Sequence, residues 1–345
     1  MQTYLSLPDA LARHTDAVER ELRSIVPDDG SPLYTALRYH MGWCDQSGKA
    51  VNGTAGKRFR PVLCLMTCAS VGGEPDSAMP AAVALELVHN FSLIHDDIQD
   101  RDTERHHMPT VWAVWGESQA LSTGNAMYAL ASGSLLKLAE QVVSPDRIAQ
   151  ASASLTRSSL EMMEGQYLDL EFEKRTEVNT DDYLDMIARK TGALIACTME
   201  MGVLIGAGDT ATASVFALAG RHLGHLFQVR DDILGVWGEE AATGKPTGSD
   251  IRRKKKTYLV VQAMQKATGA AAITLKRIYA KQDPSDQDIR QVMDVMESTH
   301  ARQEAEALAV RLADRALESI QPAELSARSM RDFEELVSFL LNRDH

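Results

Sequence analysis

Two aspartates one helical turn apart are the clearest chemical feature of this sequence. Asp96 and Asp100 lie in the segment His95-Asp96-Asp97-Ile98-Gln99-Asp100, and on a helix residues four apart project from the same face while Asp97 points elsewhere. Two carboxylates this close repel each other unless a cation offsets the repulsion. Magnesium binds a few carboxylates together with waters and phosphate oxygens. The spacing predicts a magnesium site, although a solvated acidic helix end gives the same short pattern by chance.

A second acidic patch stands far along the chain. Asp231 and Asp232 end the apolar helical run 216–229, Gln228 stands one turn before Asp232, and the third position of the patch is Gly235, which cannot ligate. Two such patches facing each other across a helical bundle could hold several magnesium ions around one diphosphate and stabilise its departure. Departure from an allylic carbon leaves a carbocation, so the remaining cavity should be apolar and dry.

A diphosphate also needs fixed cations, and the sequence places several beside glycines and turns. Lys57 and Arg60 stand one helical turn apart in Gly56-Lys57-Arg58-Phe59-Arg60-Pro61, at a predicted loop-to-helix entry where both can reach the same anion. The other candidates are Arg105, Lys190 before Thr191, Lys245 between Gly244 and Pro246, and Lys255 in the basic run 252–256. Each alone is typical of a surface charge. Their occurrence together with both acidic patches favours a diphosphate site.

The elements that position these residues are predicted to be helices. Apolar residues recur at spacings of three and four almost throughout, as in Val83, Leu87, Phe91 and Ile94, and alternating strand-like runs are scarce. Turn signals divide the chain into about ten segments and fall at 27–30, 72–75, 144–146, 178–181, 206–209, 237–250 and 283–286. The pattern predicts an all-α, single-domain bundle of about ten or more helices around a central cavity, spanning residues 1–345.

Composition excludes several classes of protein. The 345 residues are 44% hydrophobic and 24% charged, which is enough apolar residues for a large core and no signature of disorder. A formal net charge of −12 argues against a nucleic-acid surface, because phosphate backbones are bound by net-basic faces. The four cysteines form no C-x-x-C pair, so reduced thiols packed in the core are expected. No signal sequence or transmembrane segment is recognisable, and we expect a cytoplasmic protein.

From about Leu37 to about Leu259 the sequence resembles the trans-prenyltransferase family, also called polyprenyl diphosphate synthases. Five blocks occur in the family's order, and they are 56–61, 89–100, 190–192, 227–232 and 244–246. The resemblance implies the isoprenoid synthase fold, a homodimer, and head-to-tail condensation of isopentenyl diphosphate with allylic diphosphates. Metal-assisted ionisation, attack by the isopentenyl double bond and proton loss are the implied steps.

The resemblance also implies a role for each matching residue. It implies isopentenyl diphosphate contacts at Lys57, Arg60, His89 and, in place of the family's usual arginine, His106. It implies magnesium ligands at Asp96, Asp100 and Asp231, with three ions when substrate is bound. It implies allylic diphosphate contacts at Arg105, Lys190, Thr191, Gln228, Lys245 and Lys255. Among these residues Asp96, Asp100 and Lys190 are expected to be catalytic. His89 also fits a satisfied core histidine.

Two departures from the family pattern bear on activity. His106 replaces an arginine, and histidine is only partly charged near neutral pH, so phosphate affinity there is expected to be weaker or pH-sensitive. Gly235 replaces the last aspartate of the second patch, so only Asp231 is assigned there.

Product length depends on the helix before Asp96. Phe91, five residues before Asp96, resembles the chain-stopping aromatic residue of short-chain synthases, and Ser92 beside it is small. The aspartate-rich segment also lacks the two-residue insertion of many bacterial farnesyl synthases. The combination favours geranylgeranyl diphosphate, with farnesyl or longer-chain diphosphates as the alternative.

Two other functions remain open at this point. A class I terpene cyclase uses a similar cavity, but the segment 228–237 lacks the downstream Asn/Asp, Ser/Thr, Glu triad, and a cyclase does not need an isopentenyl site at Lys57, Arg60 and His89. A non-catalytic partner subunit is compatible with Gly235 and His106. The acidic pair at Asp96 and Asp100 argues against such a subunit, because a scaffold does not need repelling carboxylates beside phosphate-binding cations.

Overall fold

The computed structural model describes residues 9–51, 56, 58–106, 108–141, 143–175, 177–238 and 247–343. Two predicted substrate contacts, Lys57 and Lys245, lie outside the described residues. The all-α prediction is confirmed. Apart from helices, the regular structure of the described residues includes one short antiparallel hairpin, β1 Glu104–Arg105 with β2 Met108–Pro109.

The first half of the chain supplies the helices around the first acidic patch. They are α1 Asp9–Ala12, α2 Thr15–Ile25, α3 Pro32–His40, α4 Phe59–Ser70, α5 Met79–Gln99, α6 Val111–Trp115, α7 Glu117–Leu136 and α8 Pro145–Lys174. Short 3-10 turns at Pro75–Ala78 and Lys137–Glu140 precede α5 and follow α7.

The second half supplies the helices around the second patch. They are α9 Thr180–Ile187, α10 Ala193–Gly206, α11 Thr210–Trp237, α12 Ser249–Arg252, α13 Tyr258–Lys266, α14 Gly269–Tyr279, α15 Asp286–Ser298, α16 Ala301–Ile320 and α17 Ala327–Asn342. One turn of π-helix, Ala188–Gly192, joins α9 to α10, and a 3-10 turn, Gln321–Ala323, follows α16.

Several helix ends follow directly from local sequence. Ser144 caps α8 by accepting from the backbone N–H of Arg147, and proline occupies the first position of that helix, where its missing N–H costs nothing. Ser285 and Asp288 form a reciprocal capping box at α15, and this helix begins within the turn predicted at 283–286.

The central element is α5, which ends at the first acidic patch. It packs against α4, α7, α8 and α10, and its buried residues lie on nearly every side of the helix. The helix 75–99 is long and apolar enough to cross a membrane by length and composition, but 72% of its apolar window is buried inside the protein. It therefore serves as a core helix.

A close backbone contact fixes the π-turn beside α5. A Cβ built on Gly165 of α8 would lie 2.6 Å from the Cα of Lys190, closer than real Cβ atoms approach a neighbour. Glycine is required at position 165 so that α8 can approach the turn carrying Lys190.

All four cysteines are free and buried, as expected for core packing.

Candidate active site

The C-terminal end of α5 meets the π-turn at a charged cluster. The Lys190 ammonium lies 3.5 Å from Asp96 Oδ1 and 2.6 Å from Asp169 Oδ2. Burial, and then the neighbouring charge of Asp96, raise the pKa of Asp100 to about 6. The structure therefore brings together Asp96, Asp100 and Lys190, the three residues predicted to be catalytic, and the repulsion expected between the two carboxylates is present.

Asp169 is a member of this cluster that sequence reasoning missed. Burial acts to raise its pKa, but the charges of Lys190 and Lys255 outweigh burial and lower it. Asp169 follows Gly165 by four residues and precedes Phe172 by three, and both are buried on α8. These spacings place the Asp169 carboxylate on the buried face of α8. They were the sequence signal that could have identified it, because a buried charge requires a partner.

Asp97 serves a different purpose from its neighbours. Its buried carboxylate accepts from Arg105, with Nη2 to Oδ1 at 2.7 Å and Nε to Oδ1 at 2.9 Å. Burial raises the pKa of Asp97 despite this partner. Asp97 thus points away from the Asp96–Asp100 face and holds the guanidinium of Arg105 in place, a paired geometry that specifies orientation.

Lys255 stands between the two acidic patches. Burial opposes its charge, but four carboxylates outweigh burial and raise its pKa. In order of effect they are Asp169, Asp250, Asp232 and Asp96. Together with Lys190, this residue supplies cationic charge between the ends of α5 and α11, where a diphosphate would need it.

Asp232, the second aspartate of the later patch, is buried in a hydrogen-bond network. It accepts from the Tyr183 hydroxyl, from the Tyr258 backbone N–H at 2.9 Å and from Gln228 Nε2 at 3.1 Å. Gln228 Oε1 in turn accepts from the Thr191 hydroxyl at 2.9 Å. Burial raises the pKa of Asp232 to about 7. The network joins Thr191 and Gln228, both predicted allylic diphosphate contacts, and fastens the end of α11 to α9 and α13.

Asp231, the predicted metal ligand of this patch, has a different environment. Its side chain is 53% exposed and forms an ion pair of 2.5 Å with Arg343 near the C-terminus. The Arg343 guanidinium also lies over the Phe227 ring at 3.9 Å and donates to the Phe227 carbonyl at 2.9 Å. No local motif indicates this partner, because the two residues are 112 positions apart.

A separate cluster of bases lies around the start of α4 and the middle of α5. Burial lowers the pKa of Arg60 to about 10, and Arg60 Nε is buried without a hydrogen-bond partner. Burial, followed by the charges of Arg60 and Arg105, lowers the pKa of His89. Burial and then Arg105 lower that of His40 to about 3, and exposed His106 is close enough to act on His40 in the same direction. These bases disfavour one another's charge, so an anion among them would be strongly stabilised.

Arg58, in the same block as Arg60, is used differently. Its guanidinium lies 2.9 Å from Glu19 and 3.0 Å from Glu86, and its side chain is 1% exposed. Arg58 is therefore a structural cation that ties α2 to α5, while Arg60 keeps an unpartnered donor.

The residues predicted to set chain length lie one and a half turns before the acidic pair. The Phe91 ring is buried against His95 and Tyr128, with ring centroids 4.7 Å and 5.2 Å away. Ser92 donates to the carbonyl of His89 at 2.7 Å, so its hydroxyl is satisfied by its own helix. Phe91 thus packs between α5 and α7.

The donor set suits magnesium rather than a softer metal. Asp96, Asp100 and Asp231 offer carboxylate oxygens, which are hard ligands. Within the ranges that the structure covers, no three metal-binding side chains converge on one point. A cation held here would take its remaining ligands from water and phosphate oxygens, as magnesium commonly does.

Known proteins are similar to this chain in sequence and in fold. The family model described as polyprenyl synthetase matches residues 41–296. The chain is 37% identical over 310 residues to a (2E,6E)-farnesyl diphosphate synthase of Mycobacterium tuberculosis, covering 89% of this chain and 85% of the relative. It is 40% identical over 240 residues to a geranylgeranyl diphosphate synthase of the same organism, covering 70% and 67%. The crystal structure of a polyprenyl synthetase from Streptomyces coelicolor A3(2) superposes with a TM-score of 0.89 at 35% identity, over 96% of this chain and 98% of that one.

Proposed function

Because this chain belongs to the polyprenyl synthetase family, in which it is a short-chain trans-prenyl diphosphate synthase, we propose that its main product is geranylgeranyl diphosphate. The observation that carries the proposal is the buried Phe91 ring beside small Ser92, five and four residues before Asp96. A bulky wall at this depth would stop the growing chain after a few isoprene units. Relatives named for farnesyl and for geranylgeranyl products are both similar to this chain, so farnesyl diphosphate is the alternative.

We propose that the allylic diphosphate binds between the two acidic patches. Lys190 and Lys255 supply the facing cations, and their charges are already balanced against nearby carboxylates. Thr191 and Gln228 are hydrogen-bonded to each other at the same place and can exchange that bond for phosphate oxygens. Lys245 remains a predicted contact.

Isopentenyl diphosphate is proposed to bind at the cluster of bases. Arg60 offers an unpartnered buried donor, and His89 and His106 contribute further donors, with Lys57 as a predicted fourth. Arg105 is held by Asp97 and lies close enough to His89 to affect the pKa of that histidine. It can therefore bind phosphate oxygens where the two diphosphate sites adjoin. Two bound substrates in fixed orientation supply much of the rate acceleration.

Asp96, Asp100 and Asp231 are the proposed ligands of magnesium, which when bound neutralises the departing diphosphate. The protein's own part is to orient the allylic carbon, to hold the leaving group with Lys190 and Lys255, and to exclude water from the carbocation. The isopentenyl double bond then attacks that carbon, and a proton leaves to restore the alkene, with the released pyrophosphate as the proposed acceptor.

We propose a homodimer formed through α7 and α8, which contact each other. Large apolar side chains are exposed on both helices, and they are Leu121, Leu136, Leu160, Met163 and Tyr167. On α8 the spacings of three and four place them on one face. Exposed apolar stripes of this kind are typical of association surfaces. Light scattering of the wild type and of a Leu160→Glu variant tests the assignment, since a monomeric wild type would contradict it.

Cellular location and domain organisation also belong to the proposal. We propose a soluble, cytoplasmic enzyme that forms a single domain over residues 1–345. Among the described residues one helix is long and apolar enough to span a membrane, and its burial supports the first statement. Superposition of a solved relative over 96% of the chain supports the second.

One incubation tests the product assignment. The purified chain is supplied with magnesium, isopentenyl diphosphate and separate C5, C10 or C15 allylic primers, and the dephosphorylated products are sized by chromatography. A dominant C20 alcohol is expected from every primer that is accepted. A dominant C15 alcohol from the C5 and C10 primers would replace geranylgeranyl by farnesyl diphosphate.

A further inference from the structure

The helices α5 and α7 run antiparallel along their shared contact. Ser134 Oγ donates to the carbonyl of Pro80 at 2.9 Å, which joins the end of α7 to the start of α5. His95 Nε2 lies 3.3 Å from the carbonyl oxygen of Leu121, which joins the end of α5 to the start of α7. Each turn from the acidic patch back along α5 is therefore matched by a turn forward along α7.

At the end nearest the acidic patch, a large side chain of α5 packs against a glycine of α7. A Cβ built on Gly124 would lie 2.4 Å from His95 Nε2, so only glycine leaves room for the imidazole ring. One turn further along both helices, the Phe91 ring meets the Tyr128 ring, with centroids 5.2 Å apart. The His95 ring also contacts Phe91, edge to face, at 4.7 Å. Phe91 is thus held by two rings, one from each helix.

Tyr128 lies at the depth where the product is proposed to stop growing. Phe91 precedes Asp96 by five residues, which is about 7.5 Å along the helix at a rise of about 1.5 Å per residue. The contact with Phe91 places Tyr128 at the same depth. Phe91 is 7% exposed and Tyr128 is partly buried, so a shift of the Phe91 ring towards α7 requires Tyr128 to give way.

The space that the Tyr128 ring occupies is comparable in length to one isoprene unit. Such a unit adds four bonds along the chain, and because three backbone bonds span about 3.8 Å, four bonds span about 5 Å when extended. This length is close to the 5.2 Å between the centroids of Phe91 and Tyr128. A Phe91 ring that moved into the place of Tyr128 would therefore uncover room for about one more unit.

We propose that Tyr128 is a second determinant of product length, because it supports the Phe91 ring against the growing isoprenoid chain. The inference rests on the proposed role of Phe91 as the residue that stops that chain. It adds a side chain of α7, outside the five blocks that match the family pattern, to the residues that set specificity.

The ratio of products tests this role, because a variant that folds poorly makes less product without changing its length. Tyr128→Ala is expected to raise, at least tenfold, the ratio of the alcohol one isoprene unit longer to the main wild-type alcohol, measured by chromatography after dephosphorylation. Phe91→Ala combined with Tyr128→Ala should give longer products than Phe91→Ala alone. A wild-type ratio in Tyr128→Ala, or a double variant with the same products as Phe91→Ala, would overturn the proposal.

Two control variants separate the ring from the rest of α7. Tyr128→Phe keeps the ring and is expected to keep the wild-type ratio. Ser132→Ala changes an exposed residue one turn further along the same helix and should also leave the ratio unchanged. A changed ratio in Tyr128→Phe would assign the effect to the hydroxyl group, and one in Ser132→Ala to any disturbance of α7, and either result would refute support by the ring.

Phe91→Ala by itself distinguishes the inference from the assignment beneath it. If Phe91→Ala leaves product length unchanged, the proposed role of Phe91 fails and the role of Tyr128 fails with it. If Phe91→Ala lengthens the product and Tyr128→Ala has no effect in either background, Phe91 keeps its role and Tyr128 alone is rejected.

Discussion

The two arginines of the 56–61 block provide the sharpest test of the structure. They are only two residues apart, yet substitution of Arg58 is expected to lower stability and substitution of Arg60 to weaken substrate binding. Arg58 is a buried cation between Glu19 and Glu86, at 2.9 Å and 3.0 Å. Arg60 is buried with an unpartnered Nε. Replacing each by methionine removes one positive charge and keeps a long side chain.

The expected loss of stability for Arg58→Met follows from the carboxylates left behind. Glu86 is 6% exposed and would retain one hydrogen bond, from Asn90 Nδ2 at 3.2 Å. Glu19 would retain Arg23 and Trp43 as donors. Removing one partner of a buried ion pair costs about 3–5 kcal/mol. At roughly 2 °C per kcal/mol for a protein of this size, the melting temperature should fall by about 6–10 °C.

Arg60→Met should behave in the opposite way. Its pKa is lowered to about 10, so the fold disfavours the charged form relative to the unfolded chain, and the charge contributes no stability at neutral pH. The expected stability change is under about 1 kcal/mol. The KM for isopentenyl diphosphate should rise about a hundredfold, equivalent to about 2.7 kcal/mol for a lost charge-assisted contact.

The assay combines thermal unfolding with initial rates at varied isopentenyl diphosphate for both variants. Glu86→Gln added to Arg58→Met should restore part of the melting temperature, since the uncompensated charge is removed. The reasoning is refuted if Arg60→Met loses as much stability as Arg58→Met, or if the double variant is no more stable than Arg58→Met.

Three further predictions follow from the site. Phe91→Ala should lengthen the product beyond C20, because removing the ring leaves room for further isoprene units, and an unchanged chromatographic profile would remove Phe91 from that role. Magnesium affinity, measured by calorimetry in the absence of diphosphate, should fall up to tenfold per pH unit below about pH 6, because Asp100 titrates there and its protonated form cannot ligate. Asp100→Asn should flatten this slope, and a flat wild-type profile would contradict the assignment. Arg343→Gln should strengthen magnesium binding several-fold, because it frees the Asp231 carboxylate from its ion pair, and equal or weaker binding would show that the ion pair does not compete with metal.

The pattern of helices was predictable because its cause is local. Spacings of three and four among apolar residues specify a helix with a buried face, and proline, glycine and capping residues mark where it ends. The cap at Ser285 and the turn at 144–146 appear where the sequence indicates them. Contacts between distant segments were harder to predict from the sequence, because a periodic pattern shows which face of a helix is buried but not which element covers that face.

The candidate site divides in the same way. The shared face of Asp96 and Asp100 follows from a spacing of four on one helix, and the ordered blocks are enough to indicate the family. The spacing from Lys57 and the family resemblance already selected Arg60 as the diphosphate contact. Sequence alone could not show the structural role of Arg58, because Glu19 and Glu86 reach it only after α2 and α5 pack.

The sequence by itself determined the helical class, the acidic pair, the cationic blocks and the family to which they belong. Only the tertiary structure decided which charges are available for substrate. It pairs Asp169 with Lys190 and Arg343 with Asp231, and it packs the Asp250 side chain against Gly235. The physical reason is that the state of a charged group depends on its burial and on its neighbours within a few ångströms, and packing brings those neighbours from remote parts of the chain.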